Sequence, residues 1–265
     1  INMDYDYSFI LEGEVVANDL EKKTFDIRVS NDIQYKIKND RLYLGGYDWE
    51  LPTGENIVFN PMTAAPYYLT YTYHHDYRRS DLLAESVGDS LIRLQGNMEE
   101  VPPVGSIYTD KGPHGRNRIF PGIILHSSSD ISIAKTNIYM AGAMALIAEN
   151  TENVILREFN VRLRPGSTRI ISASADATHL VNCRGLIHFE NCLFENMLDD
   201  ATNVHGTYMK VEDLSGDRLT VKFGHYQQEG FRFAREGAYL HGKRYPMGEP
   251  KLRIDLFRQR FSRPG

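Results

Sequence analysis

The stretch Ile147-Ala-Glu-Asn-Thr-Glu-Asn-Val-Ile-Leu-Arg-Glu-Phe-Asn-Val161 decides the fold. It reads as a short apolar strand, a polar corner, a second strand, and then an asparagine ahead of another apolar residue. Ile124-Leu-His-Ser-Ser-Ser-Asp-Ile-Ser-Ile-Ala-Lys-Thr-Asn-Ile138 has the same layout, and so does Leu180-Val-Asn-Cys-Arg-Gly-Leu-Ile-His-Phe-Glu-Asn-Cys-Leu-Phe194. A recurrence of about two to three dozen residues with polar corners is the pattern of a coiled parallel sheet in which each turn is one rung. The chain is therefore expected to be all-β and to hold a right-handed parallel β-helix. Each rung buries its inward side chains against its neighbours, which selects Ile124, Ile131, Ile133, Ile138, Val154, Leu156, Val161, Leu186 and Phe189 as a stacked core. A leucine-rich solenoid fits less well: Ile and Val stand where that pattern fixes leucine, and no helical segment follows each strand.

On the N-terminal side, short runs punctuated by Asn31-Asp32, Asn39-Asp40, Gly45-Gly46 and Pro52-Thr-Gly54 read as strands over 9–16, 24–29, 34–37, 41–44, 57–59 and 67–73. They predict an antiparallel β-barrel-like unit over residues 1–77. Its aromatics, Trp49 and Tyr67, Tyr68, Tyr71, Tyr73 and Tyr77, suit cross-strand packing better than a sugar-stacking surface. Residues 78–94 read either as a short helix capped by Ser80 or, over 90–95, as a strand. The loop Lys111-Gly-Pro-His-Gly-Arg-Asn-Arg118 offers His114, Arg116 and Arg118 to a ligand, with a solvated loop as the ordinary reading. The parallel β-helix with its catalytic rungs is expected over 78–206. A second antiparallel unit is expected to begin over 207–265, with a hairpin from Thr207-Tyr-Met-Lys-Val211 to Arg218-Leu-Thr-Val-Lys-Phe223.

At 42% hydrophobic and 25% charged residues, the composition is that of an ordinary folded protein rather than a disordered one. A formal net charge of -5, with no block of Lys or Arg, argues against a nucleic-acid partner. No apolar run approaches the roughly 18 residues that span a bilayer. Ile at residue 1 leads us to expect a piece of a longer protein. Cys183 and Cys192 are too few for a disulfide framework and lack zinc-site spacing, so free thiols are expected.

Chemistry is expected in Asn196-Met-Leu-Asp199-Asp200-Ala-Thr-Asn203-Val-His205-Gly206. Adjacent side chains of a regular strand face opposite ways, so Asp199 and Asp200 share a site only if the backbone bends between them. The ordinary reading is an Asx turn. Context argues otherwise: Asp176, in Ser172-Ala-Ser-Ala-Asp-Ala-Thr-His179, opens the preceding rung, and aligned rungs bring three carboxylates together. Crowding keeps one carboxyl protonated as an acid while another stays ionised as a base, the division that glycosidic hydrolysis requires. Calcium accepts similar ligands, but no EF-hand or His-x-x-x-His spacing supports a metal, and no cofactor is expected.

The run Asp199-Asp200-Ala-Thr-Asn203-Val-His205-Gly206, preceded by Ala175-Asp-Ala177 and followed by His225-Tyr-Gln-Gln-Glu-Gly-Phe231, resembles the β-helical α-1,3-galactosidases of glycoside hydrolase family 110. The resemblance implies an inverting enzyme acting on terminal α-1,3-linked galactose, as in the blood group B antigen and linear α-galactosyl epitopes. It implies Asp199 as general acid, with Asp176 and Asp200 together positioning and deprotonating the water. Antiparallel barrels beside the β-helix and a secreted or periplasmic location follow from it too. Family members are longer than this chain. Asn203, His205, His179, Glu149 and Gln227 are candidate contacts to a galactose-terminated oligosaccharide; their ordinary roles would be turn, cap or ladder hydrogen bonds. Assembly as a homodimer is left open. Competing readings are a pectinase-like hydrolase with its own Asp-Asp pair, a polysaccharide lyase using Arg164 or Arg169, and a noncatalytic carbohydrate-binding adhesin.

Overall fold

The computed structural model describes residues 1–4, 8–30, 33–46, 48–75, 82–216, 218–224, 228, 230–234, 240–243 and 253–256. The chain forms two units, Ile1–Val204 and His205–Gly265. Among the described residues every regular element is a strand except one 3-10 turn, Thr70–Tyr73.

In the first unit, β1 (Asn2–Met3) is followed by β2 (Leu11–Asp19), β3 (Thr24–Val29), β4 (Tyr35–Lys38), β5 (Arg41–Gly45), β6 (Glu50–Pro52), β7 (Asn56–Asn60), β8 (Ala65–Pro66), β9 (Leu83–Gly88), β10 (Leu91–Gln95) and β11 (Ile107–Asp110). Seven of these make an antiparallel sheet in the order β8-β7-β11-β2-β3-β10-β9, and β4, β5 and β6 make a smaller one. Alternation builds the sheet: Phe25, Ile27 and Val29 of β3 face the core while Asp26 and Arg28 face away. The large sheet ends at β8 and β9 and does not close into a barrel in the described residues.

Three expectations differ from the structure. The antiparallel unit does not stop at residue 77, because β10 pairs with β3 and β11 pairs with β2. That pairing also makes 83–88 and 91–95 strands rather than a helix. The tyrosine-rich segment 67–73 is not a strand. Thr70 Oγ1 accepts from Val58 N at 3.1 Å and Thr72 Oγ1 donates to Leu69 O at 2.8 Å, so side-chain bonds stand in for a ladder.

The rest of this unit is parallel. It comprises β12 (Ile123–His126), β13 (Ser129–Ile138), β14 (Leu146–Glu149), β15 (Glu152–Val161), β16 (Thr178–Val181), β17 (Arg184–Glu190), β18 (Leu193–Phe194) and β19 (Thr202–His205). One sheet runs β12-β14-β16-β19, and another runs β1-β13-β15-β17 with β18 also on β15. Isolated parallel bridges, Ala141 to Ala173 and Ala173 to Met197, add a third line of contact. Ile131 pairs with Val154, and Val154 with Ile187, so the echo heard in the sequence is the register of the sheet. Paired residues lie 23 apart between β13 and β15 and 32 or 33 apart between β15 and its next neighbours, because a longer loop follows Val161.

Polar corners recur because the backbone turns through the left-handed region at matching places. Ser127, Asn150 and Asn182 form one column, with φ of 50, 51 and 54°. Asp130, Asn153 and Gly185 form a second, with φ of 55, 54 and 71°. Asn and Gly tolerate this region best, and a side-chain amide can bond the next rung as well. Asn160 Nδ2 donates to Asn137 Oδ1 at 3.0 Å, and Asn137 Nδ2 donates to Asn2 Oδ1 at 2.9 Å. Asn160 Oδ1 also accepts from Leu193 N at 3.0 Å.

Inside the stack, Ile138, Leu146, Val154, Leu156, Phe159, Val161 and Leu180 are fully buried, with Ile133 and Phe189 packed partly against them. Ile131 is half-buried. Ile124 and Leu186 do not belong to this core; they are 61% and 55% exposed. In β12 the alternation runs the other way, turning Ile123 and Leu125 inward. Cys183 and Cys192 are free thiols, and burial raises the pKa of Cys183.

In the second unit, β20 (Met209–Ser215) and β21 (Arg218–Phe223) pair antiparallel, as do β22 (Leu240–Lys243) and β23 (Arg253–Leu256).

Candidate active site

The two corners that carry the aspartates follow the same path. Ala173 bridges Met197, Leu198 N donates to Ala173 O at 3.0 Å, and Ala177 N donates to Asp200 O at 3.0 Å. This register stacks Asp200 on Asp176 and Asp199 on Ala175. Small residues make the tight corner feasible: Ala173, Ala175 and Ala177 are fully buried. The chain bends at Leu198 and Asp199, which frees the adjacent aspartates from strand alternation.

The carboxylates of Asp176, Asp199 and Asp200 converge, with one oxygen of each within 4.8 Å of the others. Their surroundings differ. Asp176 is 1% exposed, whereas Asp199 and Asp200 are exposed. Asp176 Oδ2 is hydrogen-bonded to His179 Nδ1. Asp200 Oδ2 accepts from Asn203 Nδ2 at 3.1 Å. Asp199 Oδ2 pairs with the Arg118 guanidinium. Three such oxygens could take a hard cation, but exposed acidic corners commonly cluster without one.

Arg118 reaches Asp199 from a loop that the antiparallel sheet braces. Glu55 accepts from Asn117 Nδ2 at 2.6 Å, bonds His114 Nδ1 at 2.5 Å and pairs with Lys111 Nζ at 3.5 Å. Burial pushes the Glu55 carboxyl up, but the hydrogen bonds from His114 and Asn117 and the charge of Lys111 outweigh it and hold the carboxyl below its usual range. Buried Asp110 accepts from Gly54 N and Gly112 N, both at 2.8 Å, and fixes the start of the loop. Ser174 Oγ donates to Asn117 O at 3.2 Å, tying the loop to the aspartate-bearing corner.

The sequence candidates divide accordingly. Asp176, Asp199, Asp200, Asn203 and His179 come together. His179 bonds an aspartate, a role different from either capping the backbone or meeting a sugar. Glu149 lies outside the carboxylate group, bonded to His126 Nδ1 at 3.2 Å across the β12–β14 pair. His205 ends β19, at the start of the second unit, and its Nδ1 bonds Gly206 O at 2.8 Å. Gln227 lies outside the described residues. Arg164 and Arg169, the candidates for a lyase, both pair with Asp4 instead. Arg118 is the residue that sequence reasoning undervalued: a Gly-rich basic loop signals solvent, and only the distant Glu55 brace turns it towards the carboxylates.

Residues 11–108 match the family model described as GLAA-B beta-barrel domain I. The chain is similar to alpha-1,3-galactosidase A of Shewanella woodyi, at 28% identity over 91% of this chain and 39% of the relative. It is similar also to alpha-1,3-galactosidase B of Akkermansia muciniphila, at 29% over 94% of this chain and 31% of the relative. Alpha-1,3-galactosidase B of Parabacteroides distasonis is 30% identical over 89% of this chain and 38% of the relative. The chain thus spans less than two fifths of the length of these relatives.

Proposed function

For a chain that belongs with the α-1,3-galactosidases A and B, we propose the catalytic corner of an exo-acting glycoside hydrolase that removes terminal α-1,3-linked galactose with inversion. In this reading the stacked parallel sheets are coils of a right-handed parallel β-helix. The observation that carries the proposal is the convergence of Asp176, Asp199 and Asp200 from two successive rungs.

Asp199 is the acid in this account. Its carboxyl gives a proton to the glycosidic oxygen as the bond from that oxygen to the anomeric carbon breaks. Asp200 and buried Asp176 hold a water and take its proton as its oxygen bonds to the anomeric carbon from the opposite face. One water is consumed, β-galactose and the acceptor sugar are released, and proton exchange with solvent resets the carboxyls. His179 and Asn203 orient the two basic aspartates.

Two features of the resting site bear on this chemistry. Carboxyls of inverting enzymes stand about 6.5 to 9.5 Å apart to leave room for the water, whereas one oxygen from each group here lies within 4.8 Å. Arg118 also pairs with the carboxylate form of Asp199, and the acid role needs the protonated form. Both conditions are met if the sugar, on entering, parts Asp199 from Arg118 and moves it away from Asp176 and Asp200. With a side chain 35% exposed, Asp199 has room to swing.

The test compares the full-length protein with Asp176→Asn, Asp199→Asn and Asp200→Asn on α-1,3-galactobiose and on galacturonan. Each substitution is expected to lower galactose release by about 10²- to 10⁴-fold with melting unchanged. Cleavage of galacturonan in place of the galactoside would overturn the proposal in favour of a pectinase-like enzyme.

A further inference from the structure

Beside the carboxylates lies a cleft of about 360 Å³, one wall of which is Asp199. The β7–β8 hairpin lines it through Ile57, Phe59, Ala64 and Pro66, and Ile170 and Leu198 are among the other apolar residues of the lining. Ile170 is there because the turn after Val161 is the lengthened one, and its backbone is clamped at both ends. Glu12 Oε2 accepts from Ile170 N at 2.7 Å, and Asn196 Nδ2 donates to Ile170 O at 3.0 Å. Asp199 is the only member of the carboxylate group that lines the cleft; Asp176 and Asp200 do not.

That asymmetry gives the cleft a direction. In the reading proposed above, on which this inference rests, the acid donates to the oxygen that leaves, so the leaving sugar sits on the side of Asp199. The volume falls at the small end of ligand pockets, about 300 to 1,000 Å³, and the lining side chains are apolar apart from Asn196 and Asp199. Such walls suit the C–H face of a pyranose ring and offer little to a charged one. We infer that this cleft is the binding site for the leaving sugar: it takes a neutral pyranose through its apolar face, and the β7–β8 hairpin determines which acceptor sugars are tolerated.

The test places a charge on the hairpin wall. Ala64 and Pro66 are exposed, and Ala64 has φ 52°, a conformation that Asp tolerates, so Ala64→Asp and Pro66→Asp alter the cleft with little demand on the fold. Both variants of the full-length protein are assayed on α-1,3-galactobiose, which has a leaving sugar, and on α-galactosyl fluoride, which has none. The expected result is a KM for the disaccharide raised by about tenfold, with kcat and fluoride release within about twofold of wild type. Unchanged KM for the disaccharide, or an equal loss on both substrates, would overturn the inference and leave the galactosidase reading intact. Altered melting or oligomeric state with unchanged KM would assign the cleft to a protein contact instead. A wild type that hydrolyses neither substrate would overturn the galactosidase reading, and this inference with it.

Discussion

Glu55 acts at a distance through a loop. Its carboxylate gathers His114, Asn117 and Lys111, and the loop they brace presents Arg118 to Asp199. Because the folded-state pKa is depressed, Glu55 contributes stability that is present above its ordinary value of 4.5 and is lost as pH falls through the lower folded value. Glu55→Gln is expected to cost about 1 kcal/mol at neutral pH, the group being only partly buried. It should also flatten the fall in melting temperature below about pH 4.5; parallel acid limbs for the two proteins would show that Glu55 does not stabilise the loop through its charge. At this scale the clustering was legible where many polar groups fall in one short run, as in Asp199 to Asn203. It was not legible for Arg118, whose partner lies 81 residues away and whose brace comes from another sheet. Nor could it place Glu149, whose strand neighbours the one that follows Asp176 but which is bonded to His126 on its other neighbour.

The strands and corners form a second scale, where periodicity governs. Parity decides which apolar residue faces the stack, and one residue of slip exchanges core for solvent. Leu156→Ala, inside the stack, is expected to cost about 2 to 5 kcal/mol, whereas Ile124→Ala, on the outward face, should stay within about 0.5 kcal/mol. Chemical denaturation measures both; similar costs for the two would contradict the inward and outward assignment. The parallel pairing was legible because Ile131, Val154 and Ile187 hold matching places in three similar stretches and pair in that register. Ile124 misled because β12 is short and continuously apolar over Ile123, Ile124 and Leu125, so alternation leaves no trace. The tyrosines of 67–73 misled for a different reason. They carry strong β-propensity, yet Thr70 and Thr72 give the backbone local partners.

Across the whole first unit, the antiparallel sheet and the parallel stack are joined by contacts that also build the candidate site. Phe9 stacks on Phe120 with centroids 4.8 Å apart and meets Trp49 at 5.2 Å. Glu12 holds the long loop, and Asn117 meets Ser174. The sequence announced both architectures but placed their junction too early, since β9 to β11 return to a sheet begun by β2 and β3. Nothing local in residues 78–110 signals that return, because pairing over such separations is settled by the assembled core.

The proposed function divides three converging carboxylates into an acid and a water-activating pair acting on terminal α-galactose. Its most direct test is proton NMR of the first sugar released from α-1,3-galactobiose by the full-length protein, wild type beside Asp199→Asn. Inversion yields β-galactose as the first anomer from wild type, with release lost in the folded mutant. First-formed α-galactose would contradict inversion and instead fit the close carboxylate spacing to a covalent, retaining route.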